Sequence, residues 1–206
     1  MTTPTSDPKG MQAHLAKYQG DTYVDGWASL WDKGDNLPWD RGFPNPALED
    51  TLVQRAGTIG GPLAQDAQGK SYRRKALVPG CGRGVDVLLL ASFGYDAYGL
   101  EYSATAVEAC KKEEKENHSW YRVRDQSVGK GKVTFVQGDF FDDAWLKTIE
   151  VPRNGFDVIY DYTVWILTSH LFRFSLSLLV CSNYSDFAGS LRPVRWSLQC
   201  YIFNSR

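Results

Sequence analysis

Apolar positions along the chain change their period several times, and each change marks an element. Trp27, Leu30 and Trp31 stand at offsets of 0, 3 and 4, the stripe of an amphipathic helix that Gly34 ends. This stripe is expected to pack against a sheet. A short helix is predicted before it, from Met11 to Gln19. Another is predicted from Pro46 to Ala56, with Asn45 as its cap and Pro46 at its first position. Trp39 falls between them, in a stretch broken by Pro38, Gly42, Pro44 and Pro46. Residues 57–71 read as a loop.

From Arg73 the pattern becomes strand, turn, helix. Lys75 to Val78 is a short apolar strand running into PGCGRG, and Val85 to Phe93 is a helix stopped by Gly94. Tyr95 to Leu100 is a second strand, ending at Glu101. Ser103 can cap a helix from Ala104 to Asn117, with Ala106, Val107 and Cys110 on one face and KKEEKE as solvated surface. Val133 to Val136 is a third strand, Asp142 to Leu146 a short helix, and Phe156 to Tyr160 a fourth strand ending at Asp161. The order β–α–β–α–β–α–β predicts an α/β fold: a parallel sheet with helices on both faces. After Tyr162 the periods weaken. Leu176 to Val180 can form a strand, and WSLQCYIFNSR reads as coil with strand pieces.

Composition changes this picture in one respect. The 206 residues carry 23 Lys and Arg, 24 Asp and Glu, and a net charge of -1, which disfavours nonspecific binding to a polyanion. Residues 1–162 hold 42 of the charged side chains and residues 163–206 only five, with no Lys or Glu in that tail. Four cysteines do not make a disulfide framework, and no CxxC, HExxH or GxSxG is present. No metal cluster and no aromatic–basic interleaving for nucleic acid is visible. The apolar run from Val164 to Val180 is too short, and too interrupted by His170 and Arg173, for a membrane span. The polar opening lacks the apolar core of a leader and predicts a cytoplasmic location.

The chemistry concentrates at the strand ends. Gly80, Gly82 and Gly84 occupy a strand-to-helix turn with GxGxG spacing, short of the full GxGxxG and without the GK[ST] of a P-loop. Such a turn can bring a ligand against backbone N–H groups, or can be only structural. Cys81 lies within it, beside a ligand or as a small buried residue. Glu101 stands 21 residues after Gly80, where an acid can accept both hydroxyls of a ribose. Asp139 and Phe140 follow the third strand and suit an adenine, through its amino group and its face. Asp161 and Tyr162 end the fourth strand at the same sheet edge. Trp39 suits an aromatic lid, whose ring faces favour a cationic sulfonium. A nicotinamide-dependent oxidoreductase also fits the glycine turn and Glu101.

VPGCGRGVD (78–86), YGLEYS (98–103), VTFVQGDFF (133–141) and FDVIYDYT (156–163) resemble class I S-adenosylmethionine-dependent methyltransferases. WASLWDKGDNLPWDRG narrows the resemblance to the thiopurine S-methyltransferase superfamily, in its plant and fungal thiol and halide methyltransferase branch. The resemblance implies a Rossmann-like class I methyltransferase sheet and S-adenosyl-L-methionine as cofactor. It implies cofactor contacts from Trp27, Trp31, Trp39, Gly80, Cys81, Gly82, Gly84, Glu101, Asp139 and Phe140. Asp161 and Tyr162 then lie near the methyl-transfer centre. The implied substrate is a small thiol, hydrosulfide, thiocyanate or halide, taken by a monomer with no metal, nucleic-acid or membrane partner. Methyl transfer to nitrogen or oxygen keeps the same fold.

Residues 163–188 depart from that pattern, and SLRPVRW at 190–196 resembles a family segment displaced by about two dozen residues. The expected organisation is therefore an arm (1–20), a tryptophan-rich cap (21–71), a Rossmann-like core (72–162) and an atypical tail (163–206). The sheet is expected to be incomplete at its C-terminal strands, with an edge left uncovered and activity impaired.

Overall fold

The computed structural model describes residues 8–34, 37–161, 177–180 and 200–202. Four parallel strands make the centre of the sheet: β3 (Lys75–Pro79), β4 (Asp96–Glu101), β5 (Val133–Gln137) and β6 (Val158–Asp161). Between them come α5 (Val85–Ser92), α6 (Ala104–Asn117) and α7 (Ala144–Thr148). Two antiparallel strands, β7 (Ser177–Val180) and β8 (Cys200–Ile202), continue from β6 and give the order β5-β4-β3-β6-β7-β8. This is the Rossmann-like arrangement implied by the resemblance. The edge of β6 is paired rather than bare, because antiparallel backbone from the tail takes up its hydrogen bonds.

Alternation along each strand assigns residues to two cores. Ala76 and Val78 of β3, Ala97 of β4, and Val158 and Tyr160 of β6 join Val87, Leu89 and Leu90 of α5 on one face. Leu77, Tyr98 and Leu100 point to the other face, against Trp145 and Leu146 of α7 and Phe156. Both sheet faces are covered, which is why these strands read as continuous apolar runs in the sequence.

The segment before the sheet holds more structure than its sequence suggests. Helix α1 (Pro8–Leu15) begins before Met11 and ends before Gln19, and it packs on α2 (Tyr23–Lys33). Helix α3 (Pro46–Gln54) starts as expected, with the Asn45 side chain accepting the Ala47 N–H at 3.0 Å. Residues 57–71 are not all loop. They include most of α4 (Ala56–Ile59) and part of a hairpin, β1 (Leu63–Gln65) with β2 (Ser71–Arg73). Strands of three residues are too short to show a period.

Helix α2 packs on α6, and Trp31 of its stripe lies against the glycine turn at Gly82. One further expectation is corrected. In KKEEKE, Glu113 is only 5% exposed and accepts the Tyr121 hydroxyl at 3.1 Å, so this face of α6 is not all solvated.

Candidate active site

Strands β4 and β5 extend from β3 in one direction and β6 lies on its other side, so the chain switches direction between β3 and β6. In open α/β sheets such a switch point leaves a crevice at the carboxyl ends of the strands. The glycine turn, Glu101, Asp139 and Asp161 all stand at that edge.

The turn from β3 to α5 is built by left-handed backbone at Gly80, Gly82 and Gly84, with φ of 57°, 54° and 79°. Side chains resist that region. At Gly82 a Cβ would also lie 3.3 Å from the Trp31 ring, and at Gly84 it would lie 2.6 Å from the Phe135 ring. The indole of Trp31 and the turn therefore meet at close range because Gly82 has no side chain.

Glu101 is buried and ties this turn to the next one. One carboxylate oxygen accepts the Gly82 N–H at 2.9 Å and the other the Ser103 N–H at 3.1 Å. Burial raises its pKa, and the backbone N–H donors oppose that rise. A carboxylate has about four lone-pair sites, so the Gly82, Ser103 and Tyr102 N–H groups leave room for a hydroxyl donor. Cys81 places its thiol beneath the turn, 3.9 Å from the Cys110 thiol, which itself donates to the Gly82 carbonyl at 2.9 Å. The hydrogen bond to Cys110, with burial, pushes the Cys81 thiol well above its usual range. Cys81 is half-buried and also borders the hollow over the turn.

A cleft of about 480 Å³ lies against the turn that follows Glu101, bounded by Ala28 and Asp32 of α2, Tyr102, Ser103 and Ala104, and Gln137, Gly138 and Asp139 at the end of β5. Asp139 uses one oxygen locally, accepting the Phe141 N–H at 2.9 Å. Phe140 is half-buried against the second core, and its neighbour Phe141 is the exposed ring. Helix α2 is fastened along this cleft by the Tyr102 hydroxyl donating to Asp25 at 2.8 Å and by Thr105 donating to Asp32.

A smaller hollow of about 120 Å³ lies over the turn, bounded by Trp31, Trp39, Phe43, residues 78–83 and Asp86. The three tryptophans come together here. Trp39 meets Trp27 edge-on at 5.1 Å and Trp31 at 6.5 Å. The Trp27 Nε1 is buried without a hydrogen-bond partner, an orphaned donor at the edge of the site. Asp161 is buried at the end of β6. Tyr162 lies outside the described residues.

Three residues of this site are not singled out by the motifs above: Arg83, Asp40 and Asp86. Arg83 forms a bidentate ion pair with Asp40, whose side chain is 7% exposed. Asp86 accepts the Asn45 backbone N–H at 2.7 Å, and burial lifts its pKa to about 6. A signal existed: charged residues inside PWDRG and PGCGRGVD, where small or apolar neighbours leave them little water.

Among the described residues, no cluster of three or more His, Cys, Asp or Glu side chains could hold a metal ion, and no helix is long and apolar enough to cross a membrane.

The sequence pattern of the thiopurine S-methyltransferase family matches residues 23–173. A probable thiol methyltransferase 2 from Arabidopsis thaliana is 33% identical over 139 residues, covering 67% of this chain and 47% of that protein. A thiocyanate methyltransferase 1 from Brassica oleracea is 32% identical over 152 residues, covering 73% and 53%. The chain spans about half the length of these curated relatives. A solved structure described as "Conversion of a Disulfide Bond into a Thioacetal Group during Echinomycin Biosynthesis" aligns over 61% of this chain and 39% of its own, at 27% identity and a TM-score of 0.40.

Proposed function

The chain belongs to the thiopurine S-methyltransferase family, and from that premise we propose that it binds S-adenosylmethionine and transfers its methyl group to a small, soft nucleophile. A thiol, hydrosulfide, thiocyanate or halide is the substrate class this reading favours. The observation that carries it is Glu101, a buried carboxylate that bridges the glycine turn and the β4–α6 turn, the second of which walls an open cleft.

The residues present fit the cofactor. Glu101 has acceptor capacity left for a ribose hydroxyl, and Asp139 borders the cleft where a base would lie. The glycine turn borders the hollow beneath Trp31 and Trp39, and the orphaned Trp27 Nε1 supplies a donor for a carboxylate. S-adenosylmethionine, when bound, supplies an activated methyl group on a cationic sulfonium. Trp27, Trp31 and Trp39 offer ring faces that favour a cation and apolar surface that excludes water.

Soft anions of this class need alignment and a dry pocket more than a proton acceptor. Asp161, buried at the strand end, serves to orient the nucleophile in this reading, together with Tyr162. A thiol substrate adds one requirement, since the thiolate is the reactive form.

Purified full-length chain should consume S-adenosylmethionine in the presence of at least one of hydrosulfide, thiocyanate, iodide or a panel of thiols. Binding of NAD without binding of S-adenosylmethionine would overturn the assignment. A second reading has its own observation: residues 174–206 lie beyond the family match, and SLRPVRW stands displaced within them. Binding of cofactor without turnover of any acceptor would favour a chain that retains the cofactor site but is catalytically impaired.

A further inference from the structure

The stretch that carries Trp39 is fastened to the glycine turn at two points. At one, the Arg83 guanidinium grips both oxygens of Asp40, with Nε at 3.0 Å from Oδ1 and 2.9 Å from Oδ2. At the other, the Asn45 N–H donates to Asp86 at 2.7 Å. Asp40 directly follows Trp39, and Arg83 lies between Gly82 and Gly84. The ion pair therefore joins the aromatic wall of the hollow to its glycine floor, across 43 positions of sequence.

The two partners differ in exposure. The Asp40 side chain is 7% exposed and that of Arg83 34%. A carboxylate held out of water is tolerated only while paired, so removing the guanidinium leaves a charge that must be rehydrated. The available route is for the stretch around Asp40 to lift from the turn. Trp39 moves with it, away from Trp27 and Trp31.

We propose that Arg83 and Asp40 are positioning residues, an ion-pair latch that holds Trp39 over the glycine turn and slows the escape of cofactor and product. The latch rests on the reading of the glycine turn as the S-adenosylmethionine site. Arg is suited to this role and Lys is not, because the grip is bidentate and planar.

The test uses the full chain and S-adenosylhomocysteine, with affinity from calorimetry and dissociation rate from stopped-flow tryptophan fluorescence. Arg83→Ala and Asp40→Asn should each weaken binding by about tenfold or more, mainly through faster dissociation. Arg83→Lys should recover only part of the loss. The double variant should be no worse than either single one, the sign of a shared interaction. Asp40→Asn keeps shape and removes the buried charge, so it remains informative if Arg83→Ala fails to fold. Folded variants with wild-type affinity and dissociation rate would overturn the latch alone. So would strictly additive effects. A wild-type chain with no affinity for S-adenosylhomocysteine would overturn the cofactor reading, and the latch with it.

Discussion

Asp86 offers a quantitative test of how the site is built. It lies in the first turn of α5 and accepts the Asn45 N–H at 2.7 Å. Burial lifts its carboxyl from 3.8 to about 6, against the opposing pull of that N–H. The folded state therefore binds more protons than the unfolded chain between about pH 4 and pH 6. Asp86 contributes its full stability below pH 4, and that contribution is lost as pH rises through 6. The shift corresponds to about 3 kcal/mol at neutral pH. Asp86→Asn keeps an oxygen for the Asn45 N–H and removes the buried charge. It also removes a favourable negative charge from a helix N-terminus, about 1 kcal/mol at most on the surface. The variant should then be more stable than wild type by about 2 kcal/mol at pH 7.5 and no more stable near pH 4. Urea unfolding at a series of pH values measures this, with unchanged m-values as the condition for comparing midpoints. Parallel pH profiles for the two proteins, or a less stable variant at pH 7.5, would refute the reasoning.

Three further changes probe the same framework. Gly84→Ala places a Cβ at φ of 79°, 2.6 Å from the Phe135 ring, and should cost about 2–5 kcal/mol in denaturant unfolding from backbone strain and overpacking together. Asn45→Ala removes the cap of α3 and should lower stability by about 1 kcal/mol, read as a shift in urea midpoint. Glu101→Ala leaves the Gly82 and Ser103 N–H groups without their acceptor and takes away the acid at the cleft. By loosening the turn that walls the cleft and removing the acid behind it, the change should weaken S-adenosylhomocysteine binding by about tenfold or more in calorimetry, and unchanged affinity would count against the ribose assignment.

The α/β order, the glycine turn and the acids at the strand ends were legible in the chain itself. Their signals are local: apolar runs of four to six residues, glycines at a strand-to-helix junction, and Ser103 or Asn45 at helix starts. Asn45 and Ser103 act as expected, accepting the Ala47 and Ala106 N–H groups. The hairpin of β1 and β2 was hidden because three-residue strands carry no period. Glu113 was misread because six charged residues in a row look solvated, whereas a partner eight positions away buries one of them.

What the chain determines by itself is the succession of elements and the residue types at the sheet's carboxyl edge, since backbone conformation and alternation are properties of neighbouring residues. Only the tertiary structure decides which charges leave water. Asp40 and Asp86 are ordinary acids in sequence, and each becomes a structural pivot when a segment some forty positions away covers it. Trp39 likewise reads as a lone aromatic among prolines and glycines until Trp27, Trp31 and the Arg83–Asp40 pair close around it. Desolvation and ion pairing depend on what packs from far along the chain, and the local pattern does not carry that information.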